Sequence, residues 1–165
     1  MSKFYNGGES MWLVMADSHD NLENLEKAVR IAEERRASVI FHCGDIVSPF
    51  AARILAGFSG ELYVVFGNND GEVLGLKSIL GDAIRKGPYE VVVSGKKVML
   101  MHEPISFNRL KDLDYVFYGH THEFDIFEEE KPFILNPGES CGYLSDNATC
   151  VLLDEETGEF ELVEL

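Results

Sequence analysis

No apolar run in this chain approaches the roughly 20 residues that a membrane-spanning helix needs, so no spanning segment is expected. Cysteine is sparse. Cys43, Cys141 and Cys150 make an odd count without paired spacing. That excludes a zinc ribbon or finger and gives no disulfide framework, so a cytoplasmic setting is the expectation. Positive charge is scarce as well: 14 Lys and Arg stand against 29 Asp and Glu, a formal net charge of −15. A surface of that sign repels a phosphate backbone. No basic stretch supplies the footprint of a nucleic-acid binder, so long nucleic acid is not an expected partner. The acidic runs Glu128-Glu129-Glu130 and Asp154-Glu155-Glu156 read as solvated turns.

What is present is ordinary globular material. Hydrophobic residues make up 45% and charged residues 26% of 165, which sets one domain with a real core as the expectation. Residues 1–10 carry one lysine and no apolar core. They read as a disordered extension rather than a signal peptide, or as a tail before a second start at Met11. Residues 11–165 then form the single domain, with no repeat and no linker.

The first half alternates. Residues 12–16 form an apolar run ending at Asp17, read as a buried strand. Asp20 reads as a helix cap with Glu23 three residues on, and Leu22, Leu25, Val29 and Ala32 give that helix an apolar face. A second strand, 38–43, ends at Gly44-Asp45. Ser48-Pro49 opens a second helix. A third strand, 61–66, ends at Gly67-Asn68, and residues 71–84 read as a third helix. This alternation predicts βαβ units and a largely parallel sheet. In the second half, 89–93 and 97–101 flank a hairpin turn at Ser94-Gly95-Lys96. A short helix over 105–113 leads to a strand at 114–118. Strands at 123–128, 132–135, 149–153 and 159–163 follow, mostly antiparallel in expectation.

Polar residues stand where these strands end. Asp17 and His19 follow the first strand, Asp45 the second and Asn68 the third. His102 ends a later one, and His120 and His122 another. Ligands of α/β sheets bind at the carboxyl ends of strands. Imidazole with carboxylate and amide oxygen suits Mn, Fe, Co, Ni or Zn better than Ca or Mg, which prefer all-oxygen shells. Of the five histidines, only His42 lies inside a strand, where packing or support of a neighbour is the expected role.

In this order, Asp17-Ser18-His19-Asp20-Asn21, His42-Cys43-Gly44-Asp45, Gly67-Asn68-Asn69-Asp70-Gly71, Gly119-His120-Thr121-His122 and Asn136-Pro137-Gly138-Glu139 resemble the calcineurin-like metallophosphoesterases. The pattern is most similar to the small single-domain YfcE-type phosphodiesterases, and it spans nearly everything from Met11 onward. The resemblance implies a four-layer α/β/β/α sandwich of two mixed sheets flanked by helices. It implies two divalent ions, Mn first with Ni, Co, Fe or Zn as alternatives. Asp17, His19, Asp45 and His122 would hold one. Asp45, Asn68, His102 and His120 would hold the other, with Asp45 bridging. Two such ions bring about +4, and Asp17, Asp45 and a bridging hydroxide about −3, which leaves about +1 to attract phosphate. The implied activity is hydrolysis of small phosphodiesters by a metal-bridging hydroxide. The same fold also serves as a non-catalytic scaffold in a retromer subunit whose metal site is impaired, and a phosphomonoesterase is a further alternative. Relatives are often homodimers or homotetramers, with the neighbourhoods of Tyr143 and Phe124 as interface candidates.

Three departures from the family pattern stand out. Asn69 occupies a position where many relatives carry a leaving-group histidine. His102-Glu103-Pro104 replaces His-Gly, and the segment to Gly119 is short. Glu139 interrupts the Asn-Pro-Gly-Ser loop. Asp70 reads as an orienting residue or a plain turn residue.

Overall fold

Five consecutive residues, Met11–Met15, form β1, and all five are buried. Their sequence does not alternate because the strand lies inside a six-stranded sheet covered on both faces. The computed structural model describes residues 10–105, 110 and 112–165. On one side of β1 run β2 (Ala37–His42), β3 (Glu61–Val65) and β4 (Ile84–Arg85), all parallel, as the alternation predicts. On the other side β10 (Thr149–Asp154) and β11 (Phe160–Glu164) pair antiparallel.

Three helices cover the outer face of this sheet: α1 (Leu22–Glu34), α2 (Pro49–Ala56) and α3 (Val73–Leu80). Leu13, Met15, Ile40 and Val64 meet Leu25, Leu55 and Leu76 there. Ser48 caps α2 ahead of Pro49, as expected. The cap of α1 is Asn21 rather than the expected Asp20. Asn21 Oδ1 accepts from the Asn24 amide at 3.2 Å, whereas the Asp20 carboxylate accepts from the Ser48 amide at 3.1 Å and ties two loops together. The third helix is shorter than expected. It stops at Leu80, Gly81 takes a left-handed φ of 55°, and a 3-10 turn delivers the chain to the two-residue β4.

The second sheet has the order β5 (Tyr89–Val93), β6 (Lys96–Leu100), β7 (Tyr115–Phe117), β9 (Phe133–Pro137) and β8 (Phe124–Phe127). Ser94 and Gly95, at φ 49° and 78°, make the hairpin turn, a conformation matched to strand twist; Lys96 already belongs to β6. The antiparallel expectation holds for β5 with β6 and for β8 with β9. It fails at β7, which runs parallel to both neighbours, so this sheet is mixed too.

The sheets pack face to face. Trp12, Val14, Val39 and Phe41 of the first interlock with Val98, Leu100, Phe117 and Leu135 of the second. Trp12 sits edge-on to Phe41, Tyr115 and Phe117. On the far face of the second sheet, Leu110 and Leu113 cover Met101, Val116 and Tyr118; most of the helix expected over 105–113 lies outside the described residues. The architecture is the expected α/β arrangement of two mixed sheets flanked by helices. Among the described residues no helix is long and apolar enough to cross a membrane.

One acidic run departs from its expected exposure. Glu128, Glu129 and Glu130 face solvent, but Asp154 and Glu155 are buried. Asp154 Oδ1 accepts from the Glu156 and Thr157 amides, both at 2.9 Å, and closes the turn before β11. The Glu155 carbonyl accepts from the Tyr115 hydroxyl at 2.8 Å.

Phe41 is fully buried between the sheets, whereas Leu74 is 87% exposed. Phe41→Ala should lower the unfolding free energy by about 3–5 kcal/mol. Leu74→Ala should change it by no more than about 0.5 kcal/mol. Urea denaturation of both variants checks this, and equal midpoints would show that the inter-sheet core does not hold the sandwich.

Candidate metal centre

All seven predicted donors stand on one rim. Asp17 and His19 follow β1, Asp45 follows β2, Asn68 follows β3, His102 follows β6, and His120 and His122 follow β7. They form two overlapping groups. Asp17 Oδ1 lies 3.9 Å from His19 Nε2 and 3.6 Å from His122 Nε2, and His19 Nε2 lies 3.4 Å from Asp45 Oδ2. Asp45 Oδ2 lies 3.3 Å from His102 Nε2. Asn68 Oδ1 is 2.8 Å from His102 Nε2 and 3.1 Å from His120 Nδ1. One atom, Asp45 Oδ2, therefore faces both groups.

The backbone reaches this arrangement at a cost. Asp17, His19, Asp45, His120 and His122 all have left-handed φ, at 51°, 40°, 61°, 71° and 63°. None is glycine, and each such residue is disfavoured by about 1–2 kcal/mol, Asp less than His. A mesh of hydrogen bonds holds them. The Asp17 amide donates to Gly44 O and the His19 amide to Asp45 O, both at 3.0 Å, and the Cys141 amide donates to Asp17 O at 3.1 Å. Two glycines allow the close approach. A Cβ at Gly67 would lie 2.2 Å from Asp45 Oδ1, and one at Gly119 would lie 2.9 Å from Asp17 Oδ2.

The side chains support one another in a second ring of contacts. Asp70 accepts three backbone amides, from Gly67 at 2.7 Å, Val47 at 2.7 Å and Asp45 at 3.0 Å. It thereby ties the loops after β2 and β3 together. Asn69 turns inward: its backbone amide and its Nδ2 both donate to the Asp45 carboxylate, at 2.8 and 2.9 Å. His42 is fully buried between Ser18 Oγ at 2.9 Å and the Gly44 amide at 3.2 Å. Burial holds its pKa down to about 3. The neutral ring accepts at Nδ1 and donates from Nε2, so it links the first two loops, as expected of a supporting residue.

Electrostatics expose what is missing from these contacts. His102 Nδ1 faces the Cys43 carbonyl at 2.8 Å. A carbonyl only accepts, so Nδ1 carries the proton, and Nε2 of the neutral ring is a bare lone pair aimed at oxygens of Asn68 and Asp45. A second proton is one answer: burial opposes it, but hydrogen bonds to Asp45 and Cys43 hold the His102 pKa above its ordinary value. A metal ion is the other. His122 repeats the pattern, with Nδ1 donating to Glu139 Oε2 at 2.6 Å and Nε2 turned to Asp17. Asp17 Oδ1 and His19 Nε2 are buried with no hydrogen-bond partner, and burial pushes the Asp17 carboxyl up to about 6. Burial also acts on Asp45, but hydrogen bonds from His102 and Asn69 outweigh it and hold that carboxyl well below its usual range. Donors bound about 2.0–2.2 Å from one small divalent ion stand about 3–3.5 Å apart, close to the spacings here. The donor set fits metal, and Asp17, His19 and His122, or Asp17, Asp45 and His102, bring ligand atoms together around one point.

Glu139 belongs to the site, although the sequence showed it only as a departure in a loop. It is fully buried. Its Oε2 meets His122, and its Oε1 accepts from the Leu144 amide at 2.9 Å and from the Ser145 amide and hydroxyl at 2.6 Å each. The signal in the sequence was its intrusion into the Asn-Pro-Gly loop. Asn136 works beside it, donating to Gly119 O at 3.1 Å and Thr121 Oγ1 at 2.9 Å, and so fixes the loop that carries His120 and His122.

Known proteins resemble this chain in sequence and fold. Phosphodiesterase MJ0936 of Methanocaldococcus jannaschii is 33% identical over 161 residues, which cover 92% of this chain and 97% of that protein. A solved structure of a novel archaeal phosphodiesterase superposes with a TM-score of 0.85 at 32% identity, over 94% of this chain and 99% of the other. YfcE, a phosphoesterase from E. coli, shares the fold, with a TM-score of 0.67 at 19% identity over 93% of this chain and 98% of its own. Residues 11–158 match the calcineurin-like phosphoesterase superfamily domain, and the chain belongs to that family of hydrolases.

Proposed function

We propose that this chain hydrolyses small phosphodiesters with two divalent cations held by Asp17, His19, Asp45, Asn68, His102, His120 and His122. The observation that carries the reading is the pair of buried, unpartnered donors, Asp17 Oδ1 and His19 Nε2, facing each other across 3.9 Å. Burying such atoms unpaired costs about 1–3 kcal/mol each, which an ion between them would offset. The phosphodiesterase relative supports the substrate class. Asp17, His19, Asp45 and His122 make one site, and Asp45, Asn68, His102 and His120 the other, with Asp45 shared. The mixed nitrogen and oxygen donors favour Mn, with Ni, Co, Fe or Zn able to replace it. A single domain over residues 11–165 carries the whole set.

When bound, a pair of divalent cations supplies Lewis acidity and acidifies a water to a nucleophile at neutral pH. The chain's own residues do the rest. Asn69 fixes the Asp45 carboxylate, and Asp70 fixes the backbone of the loops on either side of it. Asn136 fixes the loop of His120 and His122. Glu139 holds the His122 ring in the tautomer that leaves Nε2 free, the usual role of a carboxylate behind a metal-binding histidine. Asn69, committed to Asp45, offers no acid to the departing alkoxide.

Metal-stripped protein refilled with Mn, Ni or Co should regain hydrolysis of bis-p-nitrophenyl phosphate. His102→Ala should lose far more than the roughly 10–100-fold typical of an outer partner. Protein shown to hold two ions, yet inactive with every metal, would sink the enzymatic reading. Across aryl methyl phosphates, kcat should fall steadily as the pKa of the leaving phenol rises; a flat series would mean that some group supplies the proton. Glu139→Gln should weaken Mn binding about 10–100-fold, read by calorimetric titration. Unchanged affinity with reduced activity would show that Glu139 does not act through His122.

A further inference from the structure

The chain crosses from the first sheet to the second between β4 and β5, and a pocket of about 370 Å³ opens at that seam. Its size falls in the range of about 300–1,000 Å³ typical of small-molecule sites. Asn68 and His102 belong to its wall, so it shares a side with the metal centre. The rest of the lining is of another kind. Phe66, Pro88, Met101 and Ile105 supply apolar surface, and Lys86 and Glu103 are the charged side chains. Met101 is 1% exposed and forms a fixed floor, whereas Ile105 is 44% exposed and Lys86 and Glu103 are open to solvent.

Holding metal does not require these residues. An open apolar hollow with a few polar groups beside a polar centre has the character of a ligand site. A phosphodiester centred on the rim carries two ester arms, and the pocket is open to an arm on the Asn68 and His102 side. The lining specifies that arm. Phe66, Met101 and Ile105 suit the face of a ring. Lys86 offers a donor and Glu103 an acceptor, which suit a ring whose edge carries both kinds of group. A simple aryl or alkyl arm uses only the apolar part; a nucleoside uses all of it. Among the described residues Lys86 forms no ion pair, which leaves its ammonium available to an oxygen of the substrate.

Resting on the phosphodiesterase reading above, we infer that this pocket seats a nucleoside arm of the substrate, so that the preferred substrates are nucleotide diesters. Lys86 and Ile105 are then specificity residues for that arm and take no part in the chemistry.

The test uses thymidine 5′-(p-nitrophenyl phosphate) and methyl p-nitrophenyl phosphate, which share a leaving group and differ in the other arm. With Mn-loaded protein the nucleoside ester should have a KM at least about 10-fold lower, the scale expected for burying one ring. Ile105→Ser and Lys86→Ala should each raise that KM about 10-fold, with kcat and the methyl ester unchanged. Equal losses on both esters, or no preference for the nucleoside ester in the wild type, would overturn the inference. Calorimetric binding of thymidine 5′-monophosphate to the Mn-loaded proteins reads the pocket without turnover. Binding weakened about 10-fold in both variants supports the pocket even if neither ester is hydrolysed, in which case only the catalytic reading fails. Binding indifferent to both substitutions removes the nucleoside site.

Discussion

Lone pairs aimed at one another repel, and the carboxyl rim of this sandwich holds several of them together. Asp17 Oδ1 faces His122 Nε2 at 3.6 Å and Asp45 Oδ2 faces His102 Nε2 at 3.3 Å, and with neutral rings neither pair has a donor between its atoms. Such a cluster cannot be left to flexible loops. Each donor therefore sits within five residues of a strand end, and each strand is anchored in one of two cores. Asp70 ties the loops after β2 and β3 through three amides, His42 ties those after β1 and β2, and Asn136 ties the loop after β7 to β9. The cost of the repulsion is spread over the whole sandwich, and the two interlocked sheets make that spread possible.

The donors were legible in the sequence because both of their signals are local. An apolar run followed at once by Asp, Asn or His needs no partner to be read. The parallel half of the first sheet was legible for a similar reason, since helix and strand periods alternate plainly there. The features that escaped depend on distant partners. Glu139 matters because His122 lies 2.6 Å away, although 17 residues separate them in the chain. Asn69 could have faced the cleft; only the fold turns it onto Asp45. The two-residue β4 has too little length for any period to show, and it forms because β3 offers it an edge. Asp154 is buried although its run looks solvated, because backbone amides satisfy it locally. Asp20 lost the capping role to Asn21 because the Ser48 amide claimed its carboxylate.

The strong acidity of the chain and an anionic substrate are compatible because of where the acid lies. Asp154 pairs with Met11, at the amino end of β1, while the metal centre begins after its carboxyl end. Six residues of strand at about 3.3 Å each separate the two by about 20 Å. That is more than twice the Debye length of about 8 Å at physiological ionic strength. Charge in that run is screened from the rim, which leaves the carboxylates of the rim itself, Asp17, Asp45, Asp70 and Glu139 among them, as the acid that bound cations would have to offset.

The backbone bears on whether such a rim serves chemistry or docking. Five of the seven donor residues occupy left-handed φ without being glycine. At about 1–2 kcal/mol apiece, and less for Asp, they cost on the order of 5 kcal/mol together. That equals a large part of the 5–15 kcal/mol by which a domain of this kind is stable. A docking surface gains nothing from aiming donors inward at this cost, since it needs only a complementary outer face. A metal centre gains from every one of them, because strained loops point the donors at common centres that relaxed loops would miss. The strain, the unpartnered buried atoms and the glycines that permit the close approach favour the same use of the rim, which is holding cations.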